Sequence, residues 1–234
     1  FMESYHVRET HPHLLVSSGD ANSQYDVFGD HVNRMYTALA TPSPHLTDEV
    51  TEQEIVDGML MGDRRLMDPE LLKVKEGQTA RELLAGFLRG QIEQATDTDL
   101  AEYSDTEVID NIQYHVFPNM VIQPGLSLPM VYRFRPIGMD PTRSLFEMLF
   151  LRPVPAGAEM PEPAVPFRLG VEDSYTTAPG IDPDLGHIYD QDTNNLRMQQ
   201  EGCFVSAKQG ETLSLYQESR IRHFHQTLDR YLSW

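Results

Sequence analysis

The segment FMESYHVRETHPH gathers the residues best suited to chemistry: His6, His11 and His13, with Glu3 just upstream. On an unbroken helix, residues five apart point roughly 140° away from each other, so His6 and His11 cannot share a metal there. Pro12 changes this. It disfavours the helical conformation at His11, ends the helix and lets the chain turn that imidazole back toward His6. Taken alone, His-x4-His is a weak metal signal, because solvated or hydrogen-bonded histidines show the same spacing. A two-histidine site needs a further ligand. For a metal that must also bind dioxygen, a carboxylate completes one face of an octahedron and leaves two or three positions open. The chain has 36 acidic side chains, so spacing alone does not choose among them. Glu3 and His6 are three apart, which on a helix puts them on nearly one face. The Glu3 carboxylate can then accept a hydrogen bond from the His6 ring nitrogen turned away from the metal, unless it is simply a solvated acid.

Composition narrows the classes. The 234 residues are 40% hydrophobic, enough for one sizeable core and a single domain over 1–234. A formal charge of -18 repels a phosphate backbone and excludes nucleic acid as a partner. The chain has neither the roughly 20-residue apolar run of a membrane span nor a charged and apolar leader, so the expectation is a soluble, cytoplasmic protein with no membrane partner. Cys203 is the single cysteine, so this chain alone builds no disulfide, iron-sulfur cluster or Cys-rich zinc site. Any metal is left to histidines and carboxylates. The opening FMESYH has no capping signal, and the expectation is that an N-terminal part lies outside the sequence.

The elements that must position these residues are legible in outline. Residues 1–10 carry no breaker and predict a helix ending near His11. Runs at 14–16, 25–28 and 32–39 predict short antiparallel strands. From about 47 to 105 the pattern turns helical. Thr51 with Glu54, Thr79 with Glu82 and Ser104 with Glu107 fit the capping box, and Asp68-Pro69 is a fourth start. Leu83, Leu84, Phe87, Leu88 and Ile92 form a stripe at helical spacing. YHVFPNMVI, PMVYRFRPI and SLFEMLFLR predict three long strands, placing His115 in a strand as a packed or hydrogen-bonded histidine. The proline-rich 153–183 reads as a surface loop, followed by helices over 184–203 and 218–232. In the last helix Ile221, Phe224, Leu228, Tyr231 and Leu232 make an apolar stripe expected to face the core, and His223 and His225 are expected on a solvated face.

Several of these segments resemble a known family. FMESYHVRETHP resembles the catalytic-domain start of Rieske oxygenase α subunits: an acidic residue, two residues, a His, four residues and a second His, often followed by Pro. YHVFPNMVI is similar to the family strand ending in Phe-Pro-Asn. DQDTNNLRMQQEG is similar to its third-ligand segment, an Asp followed eight residues later by Gln and then x-Gly. On that pattern Asp192, Gln200 and Gly202 match, and Asp190 comes two residues too early. QESRIRHFHQTLDRYL is also family-like, and the 47–105 insertion matches weakly, as a variable substrate region does.

The resemblance implies an α+β helix-grip fold, an antiparallel sheet around a long C-terminal helix, enclosing an apolar cavity. It implies His6, His11 and Asp192 as ligands of Fe(II), with His11 preferred over His13. It further implies Glu3 as the electron-transfer bridge to a neighbouring subunit, although many members have Asp there. The activity implied is O2-dependent hydroxylation of an aromatic or other apolar substrate, mono- or dioxygenation. Electrons would come from a [2Fe-2S] Rieske centre on a segment or chain not shown, fed by a ferredoxin or reductase, in a homo-trimer or hetero-hexamer. Two rivals stand beside this: a helix-grip domain that only binds a hydrophobic ligand, and a hydrolase holding zinc with the same residues. A binding module has no use for the triad.

Overall fold

The computed structural model describes residues 3–59, 68–208 and 210–233. Six strands form one open antiparallel sheet in which spatial order equals chain order: β1 Gln24–Phe28, β2 Val32–Thr37, β3 Asn111–Val116, β4 Met120–Gln123, β5 Met130–Ile137 and β6 Asp140–Phe150. With its helices this is an α+β architecture of helix-grip type, as expected. Period-two alternation assigns the faces. Asn33, Met35 and Thr37 of β2 are buried, and so are Gln113 and His115 of β3, with Asn33 opposite His115 and Met35 opposite Gln113. Arg34 and Tyr114, the intervening pair, lie on the other face. Gly29 and Gly138, both at φ +61°, make the β1–β2 and β5–β6 turns in the left-handed conformation that glycine adopts without strain.

Three strand expectations are corrected. Residues 14–16 are not a strand; they belong to a 3-10 turn, Pro12–Val16, which Pro12 starts with its fixed φ. YHVFPNMVI is two strands, because the chain turns at residues 117–119 and Val116 pairs with Met120. Residues 32–39 pair as a strand only to Thr37.

The insertion is helical as predicted, with α2 Glu52–Gly58, a 3-10 turn Pro69–Leu72, α3 Ala80–Thr96 and α4 Asp105–Ile109; its residues 60–67 lie outside the described residues. All three capping boxes form, each with both reciprocal bonds, and the Asp68 side chain accepts from the Glu70 N–H. Ile55, Val56, Leu72, Ala80, Leu84 and Ile109 make its core together with Ala40. Asp110, whose side chain is fully buried, ties this layer to the sheet. It receives both Arg81 terminal nitrogens (2.5 and 2.7 Å), the Tyr36 hydroxyl (2.8 Å) and the Leu39 N–H (2.9 Å).

After the largely exposed stretch 151–174 come α5 Pro183–Val205, capped by Asp182, and α6 Ser219–Leu232. α6 packs on β1 and β2 and buries its apolar stripe only in part: Ile221, Phe224 and Leu228 are half-buried, with Phe224 against the rings of His115 and Phe117. Arg220 and Thr227 are buried, whereas Tyr231 is 54% and Leu232 72% exposed. The reason lies in the sheet face beneath. Asn33 and Gln113 are amides, and they accept from the Arg220 guanidinium at 2.6 and 3.0 Å. His223, expected in solvent, is likewise turned inward, 3.0 Å from the Asn33 amide and 2.9 Å from the Gly29 carbonyl, while His225 is exposed as expected.

Candidate metal centre

The first helix, α1, spans only His6–Thr10. Glu3 precedes it, and Phe1 and Met2, also expected in that helix, lie outside the described residues. His11 leaves the helical conformation (φ -126°, ψ 55°) while its N–H still bonds the Val7 carbonyl at 2.8 Å. The 3-10 turn starts at the next residue. This is the bend that Pro12 demands. It sets the His6 and His11 rings edge to face, 5.5 Å apart.

α5 packs against α1 and supplies the third group. His11 Nε2 lies 2.9 Å and His6 Nε2 3.9 Å from Asp192 Oδ1, and one ligand atom from each residue falls within 4.8 Å of the others. His11 is 2% and Asp192 9% exposed. The opposite ring nitrogens are held too. His6 Nδ1 is 2.7 Å from the main-chain carbonyl of Glu3, and His11 Nδ1 is 2.7 Å from Gln191 Oε1. Carbonyl oxygens only accept, so both Nδ1 atoms carry hydrogen; the carboxylate of Asp192 also only accepts, so at 2.9 Å His11 Nε2 donates to it, and this is the proton an ion would displace. Burial pushes the His6 imidazole down, toward its neutral ligand form. At His11 burial acts the same way, but hydrogen bonds to Asp192 and Gln191 outweigh it and raise that imidazole above its ordinary value. A metal at this site competes with the proton shared there.

The other candidates separate cleanly. His13 is exposed, its ring 6.3 Å from that of His11, and it is not in the three-residue group. Asp190 accepts from Ser174 Oγ (2.6 Å) and the Tyr175 N–H (2.9 Å) and serves to tether the loop before α5. Gln200 and Gly202 are exposed farther along α5. His115 is 4% exposed in β3, and burial beside Arg220 lowers its imidazole to about 4. Glu3 differs from expectation, since its carbonyl rather than its carboxylate holds His6; Glu3 Oε1 stands 3.7 Å from the same Nδ1. Gln191 is a site residue that sequence reasoning missed.

Packed side chains and a cleft both lie near the site. Val121, Met130, Tyr132 and Tyr189 close into an aromatic-rich core below Asp192, with the Tyr132 and Tyr189 hydroxyls 2.7 Å apart. A cleft of about 340 Å³ is lined by His13, Leu14, Asp57, Gly58, Met59, Asp184 and His187.

Two imidazoles and one carboxylate converging on a point, with no fourth protein ligand among the described residues, is the donor set of mononuclear non-haem metal oxygenases. The residues present fit such an ion, because both Nδ1 atoms are tied back to carbonyl oxygens and both Nε2 atoms face Asp192 Oδ1. The profile of the ring hydroxylating alpha subunit (catalytic domain) matches residues 1–234, and the chain belongs to that family. Membership makes it an oxygenase domain. No curated protein and no solved structure matches the chain. Among the described residues no helix is long and apolar enough to cross a membrane.

Proposed function

We propose that the domain hydroxylates an aromatic or other apolar substrate with O2 at a mononuclear Fe(II) held by His6, His11 and Asp192. The observation that carries this reading is the convergence of both Nε2 atoms on Asp192 Oδ1 while both Nδ1 atoms are tied back. Iron, when bound, supplies the O2-activating redox chemistry. The chain's own work is to fix three donors on one side, keep His6 neutral by burial, and exclude water from His11 and Asp192. The Glu3 carboxylate, 14% exposed and not needed to orient His6, is the electron-transfer bridge. In that role it would take electrons from a Rieske [2Fe-2S] centre supplied by a neighbouring subunit and fed by a ferredoxin or reductase. With this reading goes a ring-like assembly, a homo-trimer or hetero-hexamer, and a place in the cytoplasm.

Metal analysis of protein purified without oxygen tests the reading. The wild type should carry stoichiometric iron and the Asp192→Ala protein should lose it while staying folded. Full iron occupancy in Asp192→Ala would reject the ligand set, and zinc in place of iron in the wild type would reject the oxygenase chemistry.

A further inference from the structure

The carbonyl that holds His6 belongs to the peptide unit joining Glu3 to Ser4, and the other end of that unit is also engaged. The Ser4 N–H donates to the Tyr25 hydroxyl at 3.1 Å, while the Glu3 carbonyl accepts from His6 Nδ1 at 2.7 Å. The proton order around Tyr25 follows from bond counting. Ser4 Oγ spends its single hydrogen on the Asp20 carbonyl at 2.7 Å, so in its 2.7 Å contact with Tyr25 the tyrosine is the donor. The Tyr25 oxygen is then free to accept from the Ser4 N–H. The tyrosine itself is fixed independently of the metal centre. It lies on β1, its ring is edge-on to Tyr216 at 5.2 Å, and Tyr216 donates to the Ser23 carbonyl at 3.1 Å. Ser4 is 1% and Asp20 0% exposed, so water does not compete for these bonds.

We propose that Tyr25 is a positioning residue for the metal centre, acting on His6 through the Glu3–Ser4 peptide group. A hydrogen bond accepted from an amide N–H polarises that amide and makes its carbonyl a stronger acceptor. A stronger acceptor on Nδ1 raises the basicity of Nε2 and stiffens the ring. Tyr25 thus extends the support of His6 from the carbonyl, which it touches, to a strand of the sheet.

This rests on the reading of His6 as a metal ligand, so the experiment reports on both. Cobalt(II) replaces iron as the probe, giving an affinity, a visible spectrum and a hyperfine-shifted exchangeable Nδ1–H resonance for each ligating histidine. Tyr25→Phe keeps the ring against Tyr216 and removes only the hydroxyl. It should weaken cobalt(II) about tenfold, the low end for groups that support ligands, and should shift the His6 Nδ1–H resonance while leaving that of His11 in place. Ser4→Ala is the control: it breaks the side-chain bonds to Tyr25 and Asp20 but keeps the Ser4 N–H, so it should cost stability and leave both affinity and resonance at wild-type values. A Tyr25→Phe protein indistinguishable from wild type in affinity and resonance would overturn the proposal, as would Ser4→Ala reproducing the effects of Tyr25→Phe. A wild-type protein that binds no cobalt(II) would instead sink the metal reading itself.

Discussion

The division of labour within Glu3 has a consequence at the scale of single residues. Its carbonyl orients His6 and its carboxylate does not. Glu3→Gln keeps the carbonyl, so it should hold metal as tightly as wild type, while electron transfer from a reduced Rieske centre to the iron slows. Stopped-flow oxidation of the cluster checks this, and an unchanged rate would leave Glu3 as surface charge. The approach of the two histidines was legible in the sequence because it is local: His6 and His11 are placed by a bend that Pro12 announces. Asp192 was legible only through resemblance. Gln191 and Tyr25 were not legible at all. Their roles depend on how α5 docks against α1 and on which way one peptide plane faces, and neither leaves a trace in residue type or spacing.

Among the elements, what was legible followed from short-range chemistry. A capping box is closed by residues three apart, and all three predicted boxes form. The run at 14–16 misled because an aliphatic triplet has no period of its own. Here Val16 packs against Gly58 so closely that a Cβ on that glycine would meet Val16 Cγ1 at 2.1 Å, and the turn carrying His11 is seated on the end of α2. A buried polar contact joining the helical insertion to the sheet is the Asp110 cluster. Removing one member of a buried ion pair strands the other, so Asp110→Ala should cost about 3 kcal/mol, the lower end of the usual range because Arg81 is 26% exposed. Chemical denaturation measures it, and a loss below about 1 kcal/mol, the value of a surface pair, would show that the cluster is not what joins the layers.

For the molecule as a whole, acid stability turns on the polar layer beneath α6. His115 titrates at about 4 in the folded protein and near 6.5 when unfolded. Above about pH 6.5 it is neutral in both states and stability does not depend on it. As pH falls from there toward 4 only the unfolded chain takes up the proton, so stability is progressively lost, by on the order of 3 kcal/mol. Urea midpoints followed over that window should fall less steeply for His115→Gln than for wild type; parallel curves would place the acid sensitivity elsewhere. The order of the strands carries a different implication, for biosynthesis. Each strand pairs with the one made just before it, so the sheet can assemble as the chain emerges, each pairing closing a loop with strands already in place. The contact between His11 and Asp192 spans 181 residues and needs α5, which is synthesised after all six strands. A nascent chain therefore displays two histidines without their carboxylate throughout the building of its scaffold. Secure capture of any ion by the three groups would wait until the scaffold that selects it exists, which would make such an ion a late passenger rather than a template of the fold.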